Sequence, residues 1–210
     1  MNKYLLVLAI LFFLFFYVFS REVKRGFLKQ TDFNITVRIQ DKMPKRFDEL
    51  WEDAAFFVTP VPSLFIIGLL TIAAFAQKKI RLRAFIIPLL FAVLVMGELY
   101  GKSVVHHPAP PFFMIKNPTT IFPKFYINEN FSYPSGHAAR AVFLGIVMWS
   151  FIHRKRFIFC MLVGLYVTLV ALGRIYLGHH WLSDVIGGAL LGAGCGLLTA
   201  RIISPIIDQQ

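Results

Sequence analysis

Six stretches of the chain consist almost entirely of apolar residues, and each is close in length to a membrane-spanning helix. An α-helix rises about 1.5 Å per residue, so roughly 17 to 20 apolar residues cross the ~30 Å hydrocarbon core of a bilayer. The pattern predicts an all-α, polytopic membrane protein with six transmembrane helices and a single membrane-embedded domain over residues 1–210. The predicted spans lie at about residues 4–19, 60–76, 84–101, 138–152, 157–173 and 182–204.

The first apolar stretch has two interpretations, a signal peptide or an uncleaved anchor. Only Lys3 precedes it, as in a short signal peptide. Its apolar core is long for that role, however, and the sequence from Tyr17 to Arg21 contains no small-x-small cleavage site. We therefore expect an uncleaved transmembrane anchor.

Basic residues are concentrated in the short connections between the predicted spans. By the positive-inside rule these connections and both chain termini are cytoplasmic. The long segments 21–59, 102–137 and 174–181 then lie on the outer side of what we expect to be a bacterial plasma membrane. The basic residues concerned are Lys78, Lys79, Arg81, Arg83, Arg154, Lys155, Arg156 and Arg201.

A further helix is predicted at about residues 44–58, just before the second span. Its apolar residues recur at helical spacing, and charged residues cover the opposite face. We interpret it as an interfacial helix on the outer leaflet. A soluble helix packed on the outer loops remains the alternative. The apolar positions are Phe47, Leu50, Trp51, Ala54, Ala55 and Val58.

Composition supports the membrane assignment. The chain is 57% apolar and 16% charged, whereas soluble domains average roughly 45–50% and about 25%. Its formal charge of +11 is compatible with nucleic acid or a membrane surface. The placement of the basic residues favours the membrane, so no nucleic-acid partner is expected. Cys160 and Cys195 fall inside apolar segments and are interpreted as core residues rather than a disulfide.

The last span is rich in glycine, and glycines at this spacing let helix backbones approach closely. We predict that they serve packing within the chain rather than a dimer interface. The oligomeric state stays open, with a monomer favoured. The glycines are Gly187, Gly188, Gly192, Gly194 and Gly196.

The reactive side chains lie at one end of the predicted bundle. Lys102 ends the third span and Arg174 ends the fifth, while His180 and Asp184 open the sixth. Ionisable groups at this depth are costly, which makes them functional candidates. Because His180 and Asp184 are four residues apart, they share one helical face. The carboxylate can hold the Nδ1 proton and leave Nε2 free as a nucleophile or base.

The sequence that opens the fourth span is suited to binding an anion. Pro134, Ser135 and Gly136 form a small turn at a helix N-terminus, where unpaired N–H groups and the helix dipole favour negative charge. His137, the next residue, can protonate a leaving oxygen. Together with the cations Lys102 and Arg174, these groups predict phosphoryl transfer without a metal.

Two histidine pairs, His106-His107 and His179-His180, raise the alternative of a metal site. Catalytic transition-metal sites usually have about three close His or carboxylate ligands. Asp184 is the only evident acid beside these pairs on the outer side, so we expect no metal and no other cofactor.

At these positions the chain resembles the type 2 phosphatidic acid phosphatase superfamily of lipid phosphate phosphatases. That family's motifs are Lys-x6-Arg-Pro, Pro-Ser-Gly-His and Ser-Arg-x5-His-x3-Asp. They correspond here to residues 102–110, 134–137 and 173–184. The chain departs from them at Gly173, in place of the family's Ser, and at Ala109, in place of its first-motif Arg.

The resemblance implies metal-independent hydrolysis of a lipid phosphate or prenyl pyrophosphate at the outer membrane face. It makes His180 the nucleophile that forms a phosphohistidine, oriented by Asp184, and His137 the acid for the leaving group. It also assigns phosphate binding to Lys102, Ser135, Gly136 and Arg174. A lipid-to-lipid phosphotransferase and a catalytically weak lipid-phosphate binding protein remain the alternatives.

Arg140 is a candidate replacement for the arginine missing at position 109. It lies three residues after His137, on about the same face of a predicted helix. Our hypothesis is that Arg140 reaches the phosphate site. The alternative is a structural ion pair with Glu98, which lies one turn before Lys102 on the third span.

Overall fold

The protein is folded as a bundle of α-helices, seen here in a computed structural model that describes residues 2–77, 80–116, 131–152 and 156–207. No β-strand occurs within these ranges, which confirms the predicted all-α fold. The helices are α1 (Asn2–Lys24), α2 (Lys29–Lys42), α3 (Asp48–Ala54), α4 (Pro60–Ala76), α5 (Ile86–Val105), α6 (Gly136–Trp149), α7 (Arg156–Tyr176) and α8 (Leu182–Ile207).

All six predicted apolar segments are helical, and α4 has the predicted bounds. Among the described residues, four helices are by themselves long and apolar enough to cross a bilayer. The segment containing α3 joins α4 at a bend of 42°, and the pair qualifies as a fifth span. With 14 residues, α6 is shorter than a typical span. The prediction of six spans is therefore approximate, while the polytopic membrane fold is confirmed.

The most enclosed spanning helix is α8. In the apolar 18-residue stretch of this helix 61% of the residues are buried, compared with 11% in that of α1 and 22% in that of α7. It packs against α6, α1 and α5. Large apolar side chains on the helices at the periphery of the bundle, such as Phe15, Phe65 and Leu165, are exposed instead. This distribution suits peripheral helices whose apolar faces contact lipid.

Two glycines set the distance between α6 and α8. A Cβ atom at Gly188 would overlap the backbone carbonyl of Ser135, and one at Gly192 would overlap that of Ala139. These contacts lie within the chain, as predicted from the glycine spacing. The two helices can approach this closely only because neither position carries a side chain.

The segment between α1 and α4 packs over the ends of α7 and α8. It contains α2, a helix that the apolar pattern did not predict because its residues are mostly polar. The Gln40 side chain on α2 donates hydrogen bonds to the carbonyls of Met114 and Tyr176, at 2.7 and 2.8 Å. The segment between α1 and α4 is thus fixed to the bundle by partly buried polar contacts.

The predicted outer helix at residues 44–58 is present as α3 flanked by two 3₁₀ turns, Lys45–Phe47 and Phe56–Val58. Trp51 packs against Gly173 of α7, and Val58 is buried in the core. These contacts place the helix against the end of α7 and the core rather than on a loop. Leu50, however, is 57% exposed and leaves part of the predicted apolar face uncovered.

The basic connections and the reactive residues lie at opposite ends of the bundle. The connection that holds Arg81 and Arg83 precedes α5, whereas Lys102 lies in the last turn of that helix. The other predicted basic residues of the two connections, Lys78, Lys79, Arg154 and Lys155, lie outside the described residues.

Candidate active site

The predicted site residues come from the ends of four helices. Lys102 lies in the last turn of α5, and Arg174 lies in the last turn of α7. Gly136 begins α6, and Asp184 lies in the first turn of α8. His180 is held just before α8, where its backbone N–H donates to the carbonyl of Arg174 at 3.2 Å.

Two histidines face each other at the centre of the site. The ring centroids of His137 and His180 are 6.3 Å apart. His180 Nδ1 faces Asp184 Oδ2 at 3.5 Å, so this carboxylate lies at the predicted ring nitrogen. The pair does not form a hydrogen bond, and the buried Nδ1 atom has no hydrogen-bond partner among the described residues. The carboxylate nevertheless lies on the Nδ1 side of the ring, as the sequence predicted.

The N-terminus of α6 forms one wall of the site. Ser135 is the capping residue, and its Oγ accepts the N–H of Ala138 at 3.4 Å. Its own N–H donates to the backbone carbonyl of Asp184 at 2.9 Å, which ties the starts of α6 and α8 together. The first amides of a helix have no acceptor within the helix. Gly136 therefore presents the positive end of α6 to the site.

An acidic side chain lies at this helix end. Glu98 accepts a hydrogen bond from Lys102 Nζ at 3.0 Å and another from Arg140 Nη1 at 2.9 Å. Its carboxylate rests against Gly136, where a Cβ atom would overlap it. Arg140 also donates from Nε to the carbonyl of Val58 at 2.6 Å. The ion pair predicted as the alternative role of Arg140 is thus present.

Arg174 is buried beside His180 but does not line the cavity described below. Its Nη2 atom lies 2.6 Å from Glu52 Oε2, and its Nη1 atom lies 2.9 Å from His179 Nδ1. The buried Nε atom has no hydrogen-bond partner among the described residues. Glu52 belongs to α3, and sequence reasoning placed it only on the charged face of the outer helix.

A cavity of about 920 Å³ connects the polar site with the apolar interior between α4 and α5. From Pro88 to Lys102 its α5 wall extends about 21 Å at 1.5 Å per residue. Its polar end is formed by Glu98, Lys102, Gly136, His137, Arg140 and His180, and its apolar walls include Leu64, Ile67, Phe91, Val95, Met96 and Leu99. Five of the eight predicted site residues therefore share one cavity, while Ser135, Arg174 and Asp184 lie next to it.

The departure from the family motif at Gly173 has a structural reason. A Cβ atom there would lie 3.2 Å from Trp51 Cε3 and 3.3 Å from the Trp51 carbonyl oxygen. A glycine therefore lets α3 pack directly on α7, next to the pair of Arg174 with Glu52. Ala109, the other departure, is half-buried and brings no charge to the site.

His107 and Asp32 are polar partners of the site whose roles were not predicted from the sequence. His107 is 4% exposed, and its Nδ1 atom lies 2.9 Å from Asp184 Oδ1. Asp32 on α2 lies on the other side of the His107 ring. The only sequence signal was the histidine pair that contains His107. Nothing distinguished Asp32 within its polar segment.

The two histidine pairs are not assembled into a ligand cluster. His106 adopts a left-handed conformation, with φ of 54°, at the end of α5. It is exposed and packs against Phe131, while His107 turns inwards. Within the described ranges, no three His, Cys, Asp or Glu side chains are arranged as metal ligands.

The fold is similar to those of two solved membrane proteins. A transmembrane PAP2 type phosphatidylglycerolphosphate phosphatase from Bacillus subtilis aligns with a TM-score of 0.75 over 91% of this chain and 93% of that one, at 20% identity. LpxE from Aquifex aeolicus aligns with a TM-score of 0.61 over 80% of this chain and 94% of its own, at 21% identity.

Sequence relatives are phosphatases of lipid substrates. The chain is 36% identical over 113 residues to an undecaprenyl-diphosphatase of Sulfolobus acidocaldarius, covering 53% of this chain and 50% of that protein. It is 34% identical over 72 residues to phosphatidylglycerophosphatase B of Bacillus subtilis, covering 30% of this chain and 35% of that protein. The chain thus spans half or less of the length of these curated relatives.

The family profile covers the part of the chain that carries the site. The profile of the PAP2 superfamily matches residues 81–208, which is more than half of the sequence. The match includes α5 to α8 and each of the eight residues that the sequence singled out. The chain therefore belongs to the PAP2 superfamily.

Proposed function

We propose that this protein is a metal-independent phosphatase of lipid phosphates or prenyl diphosphates that acts through a phosphohistidine on His180. The observation that carries the proposal is the shape of the cavity. Its polar end holds His137, His180 and the cations Lys102 and Arg140, and this end continues into an apolar groove. Such a shape suits a phosphate headgroup with an attached hydrocarbon chain. The sequence relatives, which include an undecaprenyl-diphosphatase and a phosphatidylglycerophosphatase, support this substrate class.

The proposed first step transfers the phosphoryl group to the enzyme. Nε2 of His180 attacks phosphorus, and the bond from phosphorus to the leaving lipid oxygen breaks. His137 donates a proton to that oxygen. Asp184 holds the Nδ1 proton of His180 and stabilises the charge of the phosphorylated ring.

The proposed second step releases phosphate. Water attacks the phosphohistidine, His137 accepts its proton, and the bond from phosphorus to His180 Nε2 breaks. Free phosphate leaves, and the two histidines return to their starting protonation states. The same two rings therefore serve both steps without a metal ion.

Cationic side chains and a backbone amide bind the phosphate oxygens in this proposal. Lys102 and the Gly136 amide contact them from the cavity wall, and Ser135 keeps the start of α6 in place by capping it. Arg174 adds positive charge beside His180 and holds that residue's backbone through its own carbonyl. Arg140 takes the place of the arginine missing at position 109 when the substrate phosphate competes with Glu98.

We further propose that the site faces the outer side of a bacterial plasma membrane. This orientation follows from the positive-inside rule, because the basic connections lie at the other end of the bundle. Lipid enters from the bilayer, and phosphate leaves into the outer aqueous phase.

The first prediction is that the purified protein in detergent releases phosphate in the presence of EDTA. Undecaprenyl diphosphate, phosphatidylglycerophosphate and phosphatidic acid are the test substrates, with glycerol 3-phosphate as a control that has the phosphate but no chain. We expect release from at least one lipid and little from the control. Loss of activity in EDTA that one divalent ion restores would contradict the mechanism. Transfer to an added acceptor lipid without release of free phosphate would instead contradict hydrolysis and favour the phosphotransferase.

The second prediction concerns three substitutions near the nucleophile. His180→Ala removes the attacking nitrogen, and kcat is expected to fall by at least about 10⁴-fold. Asp184→Asn disturbs the tautomer but keeps the nucleophile, so a loss of about 10²- to 10⁴-fold is expected. His179→Ala is the matched control, expected to stay within about tenfold of wild type because it touches Arg174 rather than substrate. An inactive His179→Ala protein beside an active His180→Ala protein would show that the nucleophile is misassigned.

The third prediction separates the two roles of Arg140. Removing both leaves neither Arg140 nor Glu98 without its partner, and the amide oxygen introduced by Glu98→Gln can still accept a hydrogen bond from Lys102, so the double variant Arg140→Met/Glu98→Gln should fold. If Arg140 binds phosphate, this variant has a raised KM, and adding Ala109→Arg lowers the KM again. If the pair is only structural, the double variant hydrolyses lipid phosphate like the wild type.

The fourth prediction tests orientation by cysteine labelling in a Cys160→Ser background. Phe112 and Leu82 are 77% and 85% exposed and lie near opposite ends of the bundle. In intact cells a membrane-impermeant maleimide should label Phe112→Cys. It should label Leu82→Cys only after permeabilisation. The reverse pattern would place the site on the cytoplasmic side.

A further inference from the structure

A chain of buried polar groups extends from the nucleophile to the outer segment. Behind His180 lies Asp184, which is 0% exposed, and behind Asp184 lies His107. His107 Nδ1 is 2.9 Å from Asp184 Oδ1, and its Nε2 is 3.9 Å from Asp32 Oδ2. His107 does not line the cavity, so any effect it has on the reaction must pass through Asp184.

Each oxygen of the Asp184 carboxylate has its own partners. Oδ1 accepts the hydrogen bond from His107, and Oδ2 accepts the N–H of Trp181 at 2.8 Å. A free carboxylate rotates about its χ2 bond, but these two donors fix its plane. Oδ2 is consequently the oxygen that faces His180 Nδ1.

Asp32 joins this chain to the start of α8. Its Oδ1 accepts the N–H of Ser183 at 2.9 Å, and its Oδ2 accepts the Ser183 hydroxyl at 2.8 Å. A residue on α2 thereby satisfies an amide in the first turn of α8, as a capping residue would. Burial raises the pKa of Asp32, although the two hydrogen bonds from Ser183 and the nearby His107 act against this.

We propose that His107 is a positioning residue for His180: its Nδ1 hydrogen bond holds Asp184 in the orientation that fixes the nucleophile's tautomer, while Asp32 faces the other ring nitrogen of His107. The proposal rests on the proposed phosphohistidine mechanism. It assigns a role to a buried histidine within residues 102–110, the motif in which Ala109 replaces the family's Arg.

Two substitutions that replace His107 by an amide side chain test this proposal. In His107→Asn the amide nitrogen replaces Nδ1 and can still donate to Asp184. In His107→Gln it replaces Nε2 and points towards Asp32 instead. We expect the Asn variant to stay within about threefold of wild-type kcat and the Gln variant to lose about 10- to 100-fold, the range seen for groups that orient catalytic ligands. KM should be unchanged in both, since His107 does not touch substrate.

Equal kcat in the two variants, whether high or low, would overturn the proposal. A second comparison tests the role of Asp32. Asp32→Asn should lower kcat by itself but add little to His107→Gln, because both act through the same contact. Fully additive losses would show that Asp32 acts independently of His107.

A measurement without substrate separates this proposal from the proposed function. Nitrogen-15 NMR of histidine-labelled protein in detergent reports ring tautomers, and the His180 signals are identified by their loss in His180→Ala. The wild type and His107→Asn should show the Nδ1–H form of His180, and His107→Gln should show a mixture. An unchanged tautomer in His107→Gln would refute the positioning role. A wild type with this tautomer that hydrolyses no lipid phosphate would refute the phosphatase function alone.

Discussion

The close contact between α6 and α8 determines where the reactive groups lie. Because Gly188 and Gly192 have no side chains, the backbone of α8 rests against the carbonyls of Ser135 and Ala139. His137 and His180 lie near the starts of these two helices, so this contact brings their rings to 6.3 Å. A two-histidine mechanism needs that spacing, since one ring attacks the phosphorus while the other protonates its leaving group.

Buried charge in the site is balanced by acids from two different parts of the chain. Glu98 pairs with Lys102 and Arg140, and Glu52 pairs with Arg174. An unpaired cation at this depth would be strongly destabilising, and these acids provide the necessary counter-charges. Substrate binding in the proposed mechanism is then an exchange of one anion for another rather than the filling of a bare cationic pocket.

The sequence predicted the helices with long apolar runs and most of the polar residues that line the cavity, because both leave local signals. Apolar length predicts a span, and the spacing of His180 and Asp184 predicts a shared face. It did not predict α2, whose residues are mostly polar, nor the roles of Asp32 and Glu52. Their partners, Ser183 and Arg174, are more than 120 positions away, and no local pattern identifies contacts at such distances. The pairing of Asp184 with His107 was missed for the same reason.

The contact between Asp32 and Ser183 also bears on how the protein matures. These residues are 151 positions apart, and contacts between distant segments form late in folding because closing a long loop costs conformational entropy. Asp32 precedes α8 in the chain and is therefore synthesised first. Until α8 is inserted, the Asp32 carboxylate lacks its Ser183 donors and remains hydrated. Docking of the segment between α1 and α4 is therefore coupled to insertion of α8, so the layer over the site and the site itself are assembled together.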